Sequence, residues 1–487
     1  MDSIIPMKPS LIQRFYEPIV LLKALNMEMT SMAEHTNPAT SANNSNPEER
    51  FQIFVYKLAY VCDNVKGRGG ATVTSFMITQ DEEHGVQFRF ASNQRTEEEL
   101  EETAFFIRTL LQMIGKGLME SQVQKKALHT NLLRHVLLFN QTRVTSYLQN
   151  VRTEARKCLE KCSYFSGEER TRMTADFERF LEVFVKIPTA TAIDVHSFER
   201  VLDGLEKLDR SSSGKSLSTL ARQVRGSPNE SPGCWPEMRH MMGRLLAYRE
   251  AINYFLAAKR TWPQLFENPL VYFITSSKPI PKPGRNKSFS ADSIIGRMTN
   301  ENEKIEAFRE FVEDLQLYNL DDRIKTQYSN PGFHPVVHSE VLLLDFLKIK
   351  GPIHPARFFQ GWMYIGSSKP SCKLCHYYFE EHTPKVGHRP THGNLYISWR
   401  VPDVLTSQGN TAGIERRAMI DKILARVRND AFNLILKRVK PTHRSHDSVT
   451  SSAKLTHSRS WVSASIDDIT SMVGDLDISE NIGSGSS

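Results

Sequence analysis

The chain is poor in cysteine, with six in 487 residues. That scarcity excludes a disulfide framework of the kind that holds small secreted proteins together. Apolar runs are short, and the stretch 341–347 is interrupted by Asp345, so nothing reaches the length of a bilayer span. The first thirty residues alternate apolar with charged positions and lack the charged-then-apolar pattern of a signal peptide. No internal repeat is visible. These absences predict an intracellular protein, cytoplasmic or nuclear, without a membrane partner. An apolar fraction of 40% and a charged fraction of 24% are ordinary for a globular chain, and the length allows two or three domains.

Charge is unevenly spread. The formal net charge is +7, yet residues 330–445 alone hold 17 Lys+Arg against 8 Asp+Glu, a surplus of +9. A basic segment of this kind favours an anionic partner such as a nucleotide or a nucleic acid, and equally suits a solvated basic face.

Residue patterning predicts an α+β protein. Residues 1–50 end in a stretch rich in Asn, Thr, Ser and Pro and read as a mobile leader. Residues 51–275 read as mainly helical, with an early β-hairpin formed by 71–78 and 86–91 around Asp81-Glu82-Glu83-His84-Gly85. Thr96 followed by Glu99 resembles a helix cap. Residues 211–232 show no periodicity. A Pro- and Ser-rich linker is predicted over 276–300. Residues 301–440 read as a second domain, with helices over 301–318, 341–347, 372–381 and 414–439 and strands over 362–366 and 394–399. The Ser- and Thr-rich tail 441–487 reads as disordered.

Chemistry concentrates in the second domain. His338-Ser339-Glu340 is followed, after one intervening segment, by Cys372-Lys373-Leu374-Cys375. Two cysteines three apart on a helix share a face, so both sulfurs can address one metal ion. His338, Cys372 and Cys375 would supply the three ligands that hydrolytic zinc sites use, leaving one position for water. A helix N-terminus at the first cysteine favours the thiolate form. Glu340 is then placed to move protons rather than to bind the metal, the division of labour in zinc deaminases. Ser371, Lys373 and His392 are candidate substrate contacts, and Trp362, Tyr364 and Trp399 are either core aromatics or stacking surfaces for a base.

These residues, together with Ser-Lys-Pro-Ser before the first cysteine and His392-Gly-Asn-Leu-Tyr-x-x-Trp399 after it, resemble the OTT-like nucleic acid and nucleotide deaminases. That group is a fungal-expanded branch of the cytidine deaminase-like superfamily. The resemblance covers about 330–405, and a weaker one extends to Asp63 and the Gly69–Thr74 segment. It implies a three-layer α/β/α core with Zn2+ between the two motif helices. The superfamily often has proline directly before the first cysteine, where this chain has Ser371, with Pro370 one position earlier. It also implies a β-hairpin between a leading helix and the HSE helix. Residues 321–335 are too short for one, which predicts an abbreviated core.

Two other readings stand beside the hydrolytic one. A fourth ligand, for instance His376 or His382, would close the metal site and make this a catalytically inactive, zinc-stabilised interaction protein. A thiol redox role for the CxxC is the third.

Overall fold

The computed structural model describes residues 2–29, 46–65, 70–81, 83–185, 195–224, 233–316 and 319–436. In chain order, α1 (Pro9–Met29) and α2 (Pro47–Cys62) lead into a hairpin of β1 (Thr74–Asp81) and β2 (Gly85–Ser92). Seven helices follow: α3 (Glu97–Lys116), α4 (Gln122–Phe139), α5 (Gln141–Lys161), α6 (Gly167–Val185), α7 (Val195–Arg210), α8 (Ser212–Val224) and α9 (Cys234–Thr261). Then come β3 (Leu270–Ile274), α10 (Ala291–Met298), α11 (Asn302–Gln316), α12 (Leu320–Ser329) and α13 (Ser339–Ile349). The described chain closes with β4 (Tyr364–Ser367), α14 (Lys373–Glu381), β5 (Gly387–His388) and α15 (Gly409–Leu436).

The five strands form one mixed sheet in the order β3-β2-β1-β4-β5. β1 is its centre, antiparallel to β2 over its whole length and antiparallel to β4 through Ser75 opposite Ser367 and Phe76 opposite Gly366. β3 runs parallel to β2, and β5 parallel to β4. Alternation along β1 divides the molecule in two. Phe76 and Ile78 join one core, with α2 and the α3–α9 bundle; Met77 joins the other, with α1, α13, α14 and α15. A helix layer, a sheet and a second helix layer result, the α+β class expected.

Local signals account for the boundaries. Asn46 caps α2 through a bond to the Glu48 amide, with Pro47 in the first turn. Thr96 and Glu99 form the expected capping box on α3. Asn140 interrupts the long periodic stretch and separates α4 from α5; its amide donates to the carbonyl of Val61 at the end of α2.

Several expectations are corrected. Residues 9–29, read as part of a mobile leader, form α1, whose Phe15, Tyr16, Ile19, Val20 and Leu22 are buried; residues 30–45 lie outside the described chain. The aperiodic segment from 211 contains α8, which buries Leu217 and Ala221, while 225–232 lie outside the described residues. The linker region contains α10, with Ala291, Ile294 and Ile295 fully buried. Residues 394–399 form no strand, only an isolated bridge between Val336 and Trp399. The expectation for 441–487 falls outside the described residues.

The largest difference concerns the hairpin and the domain boundary. A hairpin, β1–β2, does follow a leading helix, α2, and the bundle α3–α9 stands between that hairpin and the HSE helix, while 320–329 form α12. Residues 301–440 therefore do not make a separate sheet, because β4 pairs with β1.

Candidate metal centre and its surroundings

His338 is the N-cap residue of α13, in extended backbone conformation, and Cys372 is the N-cap residue of α14. Two helix N-termini thus converge. The segment ahead of His338 is held on both sides: the Val336 amide donates to Ser398 O at 2.9 Å, the Arg400 amide to Val336 O at 3.0 Å, and the Val337 amide to Ser277 Oγ at 2.8 Å. Ahead of Cys372, the backbone is tied through the His392 amide to Ser371 O at 3.1 Å.

His338 Nδ1 lies 3.6 Å from Cys372 Sγ and 3.3 Å from Cys375 Sγ. The three ligand atoms fall within 4.8 Å of one another. Tetrahedral zinc with Zn–S of about 2.3 Å and Zn–N of about 2.0 Å separates N from S by roughly 3.5 Å, so the donor set fits the ion in type and spacing. Burial works against charge on Cys372, but hydrogen bonds from Cys375 and the neighbouring His338 hold its thiol well below the usual range. Burial, with the Cys372 thiolate and Glu340, pushes the Cys375 thiol up. Burial also opposes charge on His338, yet the Cys372 thiolate raises its pKa.

Glu340, in the first turn of α13, is buried at 4% exposure. Its carboxylate lies beside the Cys375 thiol and 3.5 Å from Ser339 Oγ. Ser339 belongs to a buried chain, with Ser339 Oγ 2.7 Å from Ser75 Oγ, which in turn donates to Ser367 Oγ at 3.0 Å. The Ser339 amide donates to Asn93 Oδ1 at 2.8 Å. β1, β4 and Asn93, the residue after β2, thereby all set the start of the helix carrying Glu340.

The three candidate substrate contacts separate. Ser371 is buried, and its Oγ makes no hydrogen bond, leaving a polar atom that a bound molecule can satisfy. The His392 ring packs edge-on to Tyr396 at 5.9 Å, and Tyr396 lies 6.2 Å from the His338 ring. Lys373 instead turns to α15, where Nζ meets Asp430 Oδ2 at 2.5 Å. Much of the basic surplus is paired in the same way: Arg426 with Glu381, Lys348 with Glu415 and Arg400 with Asp403. α15 uses Ile420, Leu424, Val427 and Ala431 as its buried stripe.

Two further contacts go beyond what the sequence predicts. Trp399, fully buried, donates Nε1–H to Cys375 Sγ at 3.1 Å. The sequence placed it near the motifs but offered no sign that its polar edge faced sulfur. Arg143, on α5 of the bundle, meets Asp63 Oδ2 at 2.6 Å with both side chains buried. Asp63 also accepts from Thr72 Oγ1 at 2.7 Å and from Ser368 Oγ at 3.5 Å, in the turn leading to Cys372. The weak resemblance around Asp63 was the one available signal.

Residues 337–403 match the model of a family described as an OTT_1508-like deaminase. The match covers 67 of the 487 residues, and this segment is similar to that family. No curated protein and no solved structure matches the chain. The matched segment carries α13, β4, α14 and β5. The hairpin β1–β2 that completes its sheet lies outside the match, as does the α3–α9 bundle. No described helix is long and apolar enough to cross a membrane.

Proposed function

We propose that the chain is a zinc-dependent hydrolytic deaminase acting on a nucleobase in a nucleotide or nucleic acid. The observation that carries this reading is the convergence of one imidazole and two thiols at van der Waals distance, with the buried carboxylate of Glu340 beside them. His338, Cys372 and Cys375 would hold the ion. When bound, zinc supplies Lewis acidity that brings the pKa of water down to about 7. Glu340 accepts a proton from the attacking water, hands it to the ring nitrogen next to the amino-bearing carbon, and assists departure of ammonia. The carbon gains a carbonyl oxygen and loses its amino group. Ser371 Oγ, one residue before Cys372, offers a hydrogen bond to the substrate, and Tyr396 and His392 supply ring surface against which a base can stack.

His376 and His382 lie away from the three ligand atoms. His376 faces His388, and His382 sits against Tyr378 and the carbonyl of Pro384. The cluster around His338 therefore has three ligands among the described residues, which favours an open coordination position over a closed structural site. The test is ammonia release from cytosine and adenine substrates, free and single-stranded, by zinc-loaded protein. Glu340→Gln should retain one equivalent of metal at the cysteine site and lose at least about 100-fold in rate. Wild-type protein that binds no metal through its cysteines, or Glu340→Gln protein as active as wild type, refutes the reading.

A further inference from the structure

α14 carries a second set of metal-binding side chains, beginning one residue after Cys375. His376 and Glu380 stand one turn apart on it, and His388 reaches them from β5. One ligand atom from each lies within 4.8 Å of the other two. The His376 and His388 rings are 5.4 Å apart. His376 Nδ1 is buried and makes no hydrogen bond. His388 Nδ1 is 2.7 Å from the carbonyl oxygen of Arg389, to which it donates; that fixes the tautomer and leaves Nε2 with its lone pair free. All three side chains are half-buried, so an ion can reach them while they are partly shielded from water. The nearest competitor for Glu380 is the exposed Lys385, at 3.6 Å.

We propose that His376, Glu380 and His388 form a second site for a divalent transition metal, distinct from the cysteine-bearing one. Two imidazoles and one carboxylate suit Zn2+, Co2+ or Fe2+, and not Ca2+ or Mg2+. The ion clamps α14 to the two-residue strand β5 and so braces the helix that presents Cys372 and Cys375. This site needs no deaminase activity to exist.

The test uses the full chain, stripped with a chelator and titrated with Co2+, reading bound metal by elemental analysis and thiolate-to-cobalt charge transfer by absorbance. Wild type should take up two equivalents. Cys372→Ser/Cys375→Ser should lose the charge-transfer band and keep one equivalent, which separates this site from the cysteine site. His376→Ala/His388→Ala should keep the band and bind one equivalent. Glu380→Gln, at a position where a change of fold is not expected, should weaken the band-free equivalent at least about tenfold and decides the matter if the double variant is misfolded. A wild-type stoichiometry of one, a second equivalent seen only at millimolar Co2+, or unchanged binding in Glu380→Gln overturns the proposal.

Discussion

Arg143→Met is the sharpest probe of how the α3–α9 bundle is joined to α2 and the sheet. The substitution keeps an unbranched apolar stem but removes the guanidinium that meets Asp63 at 2.6 Å. Asp63 is 2% exposed, so among the described residues its carboxylate would keep the hydroxyl donors Thr72 Oγ1 at 2.7 Å and Ser368 Oγ at 3.5 Å and the more distant charge of Lys369. Removing one partner of a buried pair costs about 3–5 kcal/mol. Asp63→Asn in the same background removes the stranded charge, so the double variant should be less destabilised than the sum of the singles by at least about 1 kcal/mol. Chemical denaturation of the four proteins measures this. In the native chain burial works against the Asp63 carboxylate, yet Arg143 holds its pKa below the ordinary value. The pair's contribution is thus present above the unfolded carboxyl pKa and fades as pH falls through the depressed native one. Without Arg143 burial dominates and the carboxyl pKa rises, so the deficit of the single variant should be full at neutral pH and shrink toward acid. Additive single effects, within about 0.5 kcal/mol, together with a deficit independent of pH, would refute the account.

Two further outcomes follow from distances already given. Trp399→Phe removes the N–H donated to Cys375 Sγ at 3.1 Å; chelator competition should show metal affinity at the cysteine site down by about 10–100-fold, and unchanged affinity would make Trp399 a packing residue only. Gly366→Ala would place a Cβ 2.8 Å from the Tyr56 amide nitrogen and 2.8 Å from Val55 Cγ1, where α2 crosses β4. Thermal denaturation should report a loss of about 1–3 kcal/mol, and an unshifted midpoint would contradict that close crossing.

What the sequence made legible was short-range. The spacing of Cys372 and Cys375 with His338 upstream predicted one cluster, and the structure brings their ligand atoms together. The Asp81–Gly85 turn predicted the hairpin, which forms with Asp81 opposite Gly85. What stayed hidden was long-range. Nothing in the pattern of β1 says that its second edge receives β4 rather than a neighbour in sequence, because alternation reports which face is buried and not which strand is adjacent. α1 is hidden by composition, because a long polar stretch follows it, although Ile19, Val20, Leu21 and Leu22 are fully buried. Lys373, conspicuous between two cysteines, proved to be committed to Asp430, 57 residues away. Ion pairing of that kind leaves no trace in local spacing.

The pairing of Ser75 with Ser367 joins residues 292 apart in the chain. Contacts of such separation must close a large loop before they are rewarded, and they form late. During synthesis β1 emerges, pairs with β2, and then presents a bare edge until the whole helical bundle and α13 have followed. The bundle, rich in contacts between consecutive helices, can assemble meanwhile and bring the two distant segments within reach. A nascent chain stalled before residue 364 is therefore expected to bind chaperones through that open edge, and removing the α3–α9 bundle should lower the yield of native protein even though it carries none of the cysteine-site residues.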